Sequence, residues 1–95
     1  MKRKIGDNCF DTEKSTEIAK VVDTTENEEN TLFITENRNL FMVKSTIGYY
    51  QNTTRLVPVS AQTAIEFLEK YRKKLGEDIV DEIYKIHFYD ELQDA

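Results

Sequence analysis

The run from Arg55 to Tyr71 constrains the fold more than any other part of the chain. Arg55 to Val59 has the apolar, β-branched content of a strand. Pro58 has no backbone N–H to give to a ladder, so that strand is expected at a sheet edge, or ends there. Ser60 follows as an N-cap, because its hydroxyl can accept from an amide that a helix's first turn leaves unpaired. Ala61, Ala64, Ile65, Leu68, Tyr71, Arg72 and Leu75 then recur at helical spacing, with Phe67 widening the stripe. Glu66 and Glu69 come early, and Lys70, Arg72, Lys73 and Lys74 come late, an order that complements the helix dipole. Gly76 suits the position after a helix end. A second helix is expected from Glu77 to near Tyr89, with Ile79, Val80, Ile83, Ile86 and His87 as its apolar stripe; the residues after it are expected to fray.

Upstream, Ile5 to Phe10 is expected to enter a first strand. Asp11 to Ser15 suits a turn or a single helical turn, with Asp11 or Thr12 as its cap. Glu17 to Asp23 reads as a strand, and Thr24 to Asn30, made only of Thr, Glu and Asn, as a loop. Thr31–Thr35 and Leu40–Ser45 form the clearest hairpin. Leu32 and Ile34 share one strand face opposite Phe33, and Leu40 and Met42 alternate with Phe41 and Val43. Both strands are therefore apolar on two faces, which predicts central positions. Asn37 and Asn39 between them tolerate positive φ. Thr46 to Thr54, with Gly48, Tyr49 and Tyr50, reads as a second turn or a longer hairpin loop. The fold expected is α+β, an antiparallel sheet of about four strands followed by two C-terminal helices, in a single domain over residues 1–95.

A chain of 95 residues has enough material for one modest core. No apolar run approaches the ~20 residues of a membrane span. No apolar leader core follows Lys2, Arg3 and Lys4, so a cytoplasmic location is expected. The single Cys9 cannot form an internal disulfide, in keeping with a reducing compartment.

The formal net charge is −5, unevenly distributed. Residues 6–36 hold two Lys against nine acids, residues 37–75 hold seven basic residues against two acids, and residues 76–95 hold one Lys against seven acids. Acidic stretches repel nucleic acid, so direct binding to DNA or RNA is not expected, whereas a basic protein partner is favoured.

Three segments resemble a group of small uncharacterised proteins found in phages, plasmids and conjugative elements of Firmicutes. Lys4 to Ser15 is similar to their opening, a basic-apolar start, an aromatic, then Asp-Thr-Glu and a polar turn. Asn37 to Val43 resembles their central hairpin. Arg55 to Ser60, with Ala64, Phe67 and Leu68, resembles their strand, proline, serine and helix entry. The likeness covers about three-quarters of the chain. It departs at Thr46-Ile47-Gly48, where the group has a glycine-rich stretch, and at Phe67, where the group often has Trp. The resemblance implies a mobile-element setting. Small acidic proteins from such elements are often inhibitors of host defence, anti-CRISPR proteins among them.

No catalytic, metal or nucleotide motif stands out, and no cofactor is expected. His87, the sole histidine, lacks a second ligand at metal spacing and reads as a helix-face residue near the core. Cys9, beside Phe10, reads as a buried inert thiol. Glu26 to Glu29 reads as a solvated loop. Glu77, Asp78, Asp81 and Glu82 form a denser acidic surface on one helix, where ordered carboxylates can mimic phosphates. Tyr49 and Tyr50 beside Gly48 are candidate anchors. The expected function is a non-catalytic protein-binding inhibitor that occupies a basic nucleic-acid-binding surface, such as that of a CRISPR effector nuclease. The alternatives are a mobile-element regulator or antitoxin-like partner, and a small enzyme using Cys9 or His87.

Overall fold

The computed structural model describes residues 1–48 and 53–89. In chain order they form β1 (Lys2–Ile5), β2 (Asn8–Asp11), a 3-10 turn (Thr12–Lys14), β3 (Thr16–Asp23), β4 (Glu28–Ile34), β5 (Leu40–Thr46), β6 (Thr54–Pro58), α1 (Ala61–Lys70), α2 (Arg72–Leu75) and α3 (Glu77–His87). The architecture is α+β: a two-stranded and a four-stranded antiparallel sheet, then helices. The chain forms two compact units, Met1–Val59 and Ser60–Ala95.

The first unit opens with a hairpin where one strand was expected. Ile5 pairs with Asn8, which leaves Gly6 and Asp7 as a two-residue turn, and Gly6 takes φ 62. A glycine leading a two-residue hairpin loop supplies that left-handed conformation without a Cβ clash. Asp11 closes the hairpin and caps the 3-10 turn by accepting from the Glu13 amide at 3.0 Å.

The four strands of the larger sheet form a meander in the order β3-β4-β5-β6. The expected central positions of β4 and β5 are present, and β6 is an edge strand ending at Pro58. The expected loop from Thr24 to Asn30 is shorter. Asp23 Oδ1 accepts from the amides of Thr25 and Glu26 at 3.0 and 3.1 Å, Asn27 takes φ 53, and β4 begins at Glu28. Its polar start is held from both sides: Glu28, Glu29 and Asn30 pair with Asp23, Val22 and Val21 on β3, and with Thr46, Ser45 and Lys44 on β5. Lys20 Nζ reaches Glu29 Oε1 at 2.8 Å across the strands. In the β4–β5 turn the left-handed residue is Arg38, φ 65, instead of an Asn. The pairing of Ile34 with Leu40 sets that position, and the Arg38 amide donates to the Thr35 carbonyl at 2.9 Å.

One face of this sheet meets the β1–β2 hairpin. Phe10 packs edge-on to Phe41 with ring centroids 5.5 Å apart, and Phe41 stacks on its cross-strand partner Phe33 at 5.1 Å. Leu56 completes this cluster, with Ile5 and Val43 against it. Arg3 Nη1 donates to the Leu56 carbonyl at 2.7 Å, tying β1 to β6. Ala19, Val21, Leu32, Ile34 and Met42 are also buried; the register places them together on the opposite face.

In the second unit, Ser60 Oγ accepts from the Thr63 amide at 3.1 Å, the expected cap. The helix expected to run to Leu75 is interrupted at Tyr71, whose φ of −107 and ψ of 19 leave the helical region while its ring packs edge-on to Phe67. Gly76, at φ 105, separates α2 from α3. Ala64, Phe67 and Leu68 on α1, Val80 and Ile83 on α3, and the following Phe88 are buried. The expected stripe on α3 is narrower: Ile79 and Ile86, seven residues apart, are 57% and 58% exposed. They lie to one side of the arc that buries Val80 and Ile83. Among the described residues, no helix is long and apolar enough to cross a membrane.

Candidate functional site

Gly76 lets α3 start immediately after α2, and Glu77 and Asp78 fall in its first turn, where carboxylates complement the partial positive charge of the unpaired amides. Four residues per turn and a fraction less divide the acids into two pairs, Glu77 with Asp81 and Asp78 with Glu82. All four are exposed.

The two pairs have different surroundings. Asp81 Oδ1 accepts from Arg72 Nη1 at 3.0 Å. The same guanidinium gives Glu69 two hydrogen bonds, from Nε at 3.0 Å and Nη2 at 2.6 Å. The Tyr84 hydroxyl donates to Glu69 Oε2 at 2.5 Å, and the Arg72 guanidinium carbon lies 5.7 Å from the Tyr84 ring centroid. Arg72 therefore ties α1 to α3. Asp81 is committed to this internal network, which leaves Glu77, Asp78 and Glu82 as the acids of α3 that make no ion pair among the described residues.

The network shifts its members' protonation. Hydrogen bonds from Arg72 first, and from Tyr84 second, hold the Glu69 carboxyl below its ordinary value. The bond to Glu69 raises the Arg72 guanidinium further. Partial burial, reinforced by the bond to Glu69, pushes the Tyr84 phenol from 10.0 up to about 12. A folded value above the unfolded one means that this stabilisation is complete below pH 10 and is lost as pH rises toward 12. Ultraviolet phenolate absorbance should therefore show a late-titrating component that is lost in Tyr84→Phe. The variant should also lose less stability than the parent between pH 9 and pH 11, measured by denaturant titration at each pH.

Asp78 and Glu82 adjoin an apolar row instead. Ile79, Glu82 and Ile86 follow one another at i, i+3 and i+7 on α3; Ile79 and Ile86 are 57% and 58% exposed, and Tyr89, 63% exposed, lies past the helix end, where Phe88 takes φ −125 and ψ 23. Exposed single hydrophobics are ordinary, but an aligned row on one helix beside two carboxylates is a surface suited to docking. Ile79 and Ile86 were expected within the apolar stripe of this helix, together with Val80 and Ile83. Periodicity does not separate them from Val80 and Ile83; Glu82 between them is the one sequence sign of an outer face.

The remaining candidates do not converge. Tyr49 and Tyr50 lie outside the described residues. Glu26 and Asn27 sit in the β3–β4 turn, while Glu28 and Glu29 are in β4. Cys9 is exposed, not buried: β2 alternates, so Phe10 points inward and Cys9 outward. Cys9 lines a polar cleft of about 350 Å³ with Lys2, Asp7, Asp11, Lys14 and Glu36. That cleft contains no histidine to act as a base for the thiol. His87 is half-buried on α3, in the other unit. No group of three or more His, Cys, Asp or Glu side chains among the described residues is arranged to hold a metal ion. No protein-family model matches the chain, and no match was found among curated proteins or solved structures.

Proposed function

We propose that this is a non-catalytic binding protein of a phage or mobile element that inhibits a larger protein by occupying its basic, nucleic-acid-binding surface. A CRISPR effector nuclease is the partner class that best fits this reading. The observation that carries it is the outer face of α3, where Glu77, Asp78 and Glu82 are exposed beside Ile79 and Ile86 on a helix anchored by Arg72. Ordered carboxylates on a rigid element match the positive potential of a nucleic-acid groove, and apolar neighbours add contact that phosphates alone would not make. Tyr49 and Tyr50 are proposed as additional anchors.

The direct test mixes the purified protein with a nucleic-acid-free effector nuclease and challenges the complex with guide RNA or target DNA. Binding that excludes the nucleic acid is the expected result. An effector that binds its nucleic acid equally well in the presence of excess protein would refute the proposal. A regulator or antitoxin-like partner is the second reading; it would be recognised by capture of a small toxin in place of the nuclease.

A further inference from the structure

We infer that Ile79 and Ile86 form an insertion ridge on α3, and that its occupant is an apolar groove on a partner protein rimmed by Lys or Arg. This rests on the binding reading above and specifies how the contact is made. Two isoleucines one heptad apart on α3 are both more than half exposed and share one edge of the helix. That spacing is the one by which amphipathic helices seat in grooves. Glu82 lies within the row and Asp78 beside Ile79, so each apolar contact has a carboxylate next to it.

The charges decide between occupants. A second copy of this chain is disfavoured. An antiparallel pairing that matched Ile79 with Ile86 of the copy would bring Glu82 against its own equivalent. A parallel pairing would oppose Asp78 to Asp78 and Glu82 to Glu82. Two chains of formal charge −5 also repel at long range. An anionic membrane is disfavoured by the same carboxylates, since interfacial helices carry Lys and Arg on their polar side. A basic rim meets both carboxylates with opposite charge while the ridge fills the groove between.

The test uses the whole chain with Cys9→Ser and Lys85→Cys, labelled on the new thiol with an environment-sensitive dye. Both substituted positions are exposed. The probes are a synthetic amphipathic Leu/Lys helical peptide, its Leu/Glu analogue, unlabelled protein, and anionic phospholipid vesicles. The Leu/Lys peptide alone should blue-shift the dye. Ile79→Ser with Ile86→Ser should weaken that binding by about 10-fold or more, as expected for loss of central apolar anchors. Ile47→Ser, an exposed apolar position in the first unit, should leave it unchanged. Circular dichroism confirms that each variant is folded.

A response to the acidic peptide, to the unlabelled protein or to the vesicles would overturn the inference. So would Leu/Lys binding indifferent to both serine substitutions. An effector captured by the parent and by the Ile79→Ser, Ile86→Ser variant alike would overturn the ridge while leaving the inhibitory reading in place. Peptide binding as expected with no effector captured would do the reverse.

Discussion

Phe41→Ala should destabilise the protein by about 3–5 kcal/mol, the usual loss for truncating a fully enclosed aromatic. Phe41 is 0% exposed and meets two rings, edge-on with Phe10 and stacked on Phe33. Its removal takes away both ring contacts and leaves a cavity between the small hairpin and the β4–β5 pair that the strand ladders prevent from closing. Since small domains are stable by only about 5–15 kcal/mol, the first unit should approach its folding limit. Urea denaturation followed by far-ultraviolet circular dichroism checks this. A midpoint within error of the parent would show that the Phe10–Phe41–Leu56 cluster does not hold the hairpin to the sheet.

Leu68→Ala is expected to cost about 2–5 kcal/mol. Leu68 is 0% exposed on α1, within the arc that also buries Ala64 and Phe67, and it follows the Ser60 cap by two helical turns. The α1 helix is only ten residues long, below the length at which an isolated helix persists in water, so it depends on that buried arc. Substitution of exposed Glu66 by Ala should change the melt by no more than about 0.5 kcal/mol. Equal effects of the two changes would remove Leu68 from the core.

The parts of the fold legible in the sequence were those where local signals agreed. The β4–β5 hairpin announced itself because Leu32, Ile34 and Met42 occupy one face and Phe33, Phe41 and Val43 the other, a pattern only interior strands satisfy. Pro58 and Ser60 marked the strand end and helix start by chemistry alone, one lacking a donor and the other supplying an acceptor. Elsewhere the deciding interactions were not local. Glu28 to Asn30 look like loop residues until their ladder partners on both sides are known. Gly6-Asp7 is a hairpin turn, but the flanking strands have four residues each and too few apolar positions to reveal a period. The break at Tyr71 departs from an unbroken helical pattern.

The candidate site was legible in its charge and not in its geometry. The sequence places Glu77, Asp78, Asp81 and Glu82 on one helix but does not show that Arg72, nine residues earlier, holds Asp81. Nor could periodicity alone decide which side of α3 is buried, because Ile79, Val80, Ile83 and Ile86 are equally apolar. Only the exposed positions of Ile79 and Ile86 turn an acidic patch into a mixed acidic and apolar face.

The central claim is that the outer acids of α3 steer this protein onto a basic partner. It is tested most directly by the association rate with a nucleic-acid-free effector nuclease, measured against salt for the parent and for Glu77→Lys, Asp78→Lys and Glu82→Lys combined. Screening shortens to about 8 Å at physiological ionic strength, so the parent's association should slow steeply as salt rises. The triple reversal should associate slowly at every salt concentration and lose most of that dependence, while remaining folded with a melting temperature lowered only by the loss of Glu77 and Asp78 from the first turn of α3. Association that is indifferent both to salt and to the three reversals, in a folded variant, would contradict the claim.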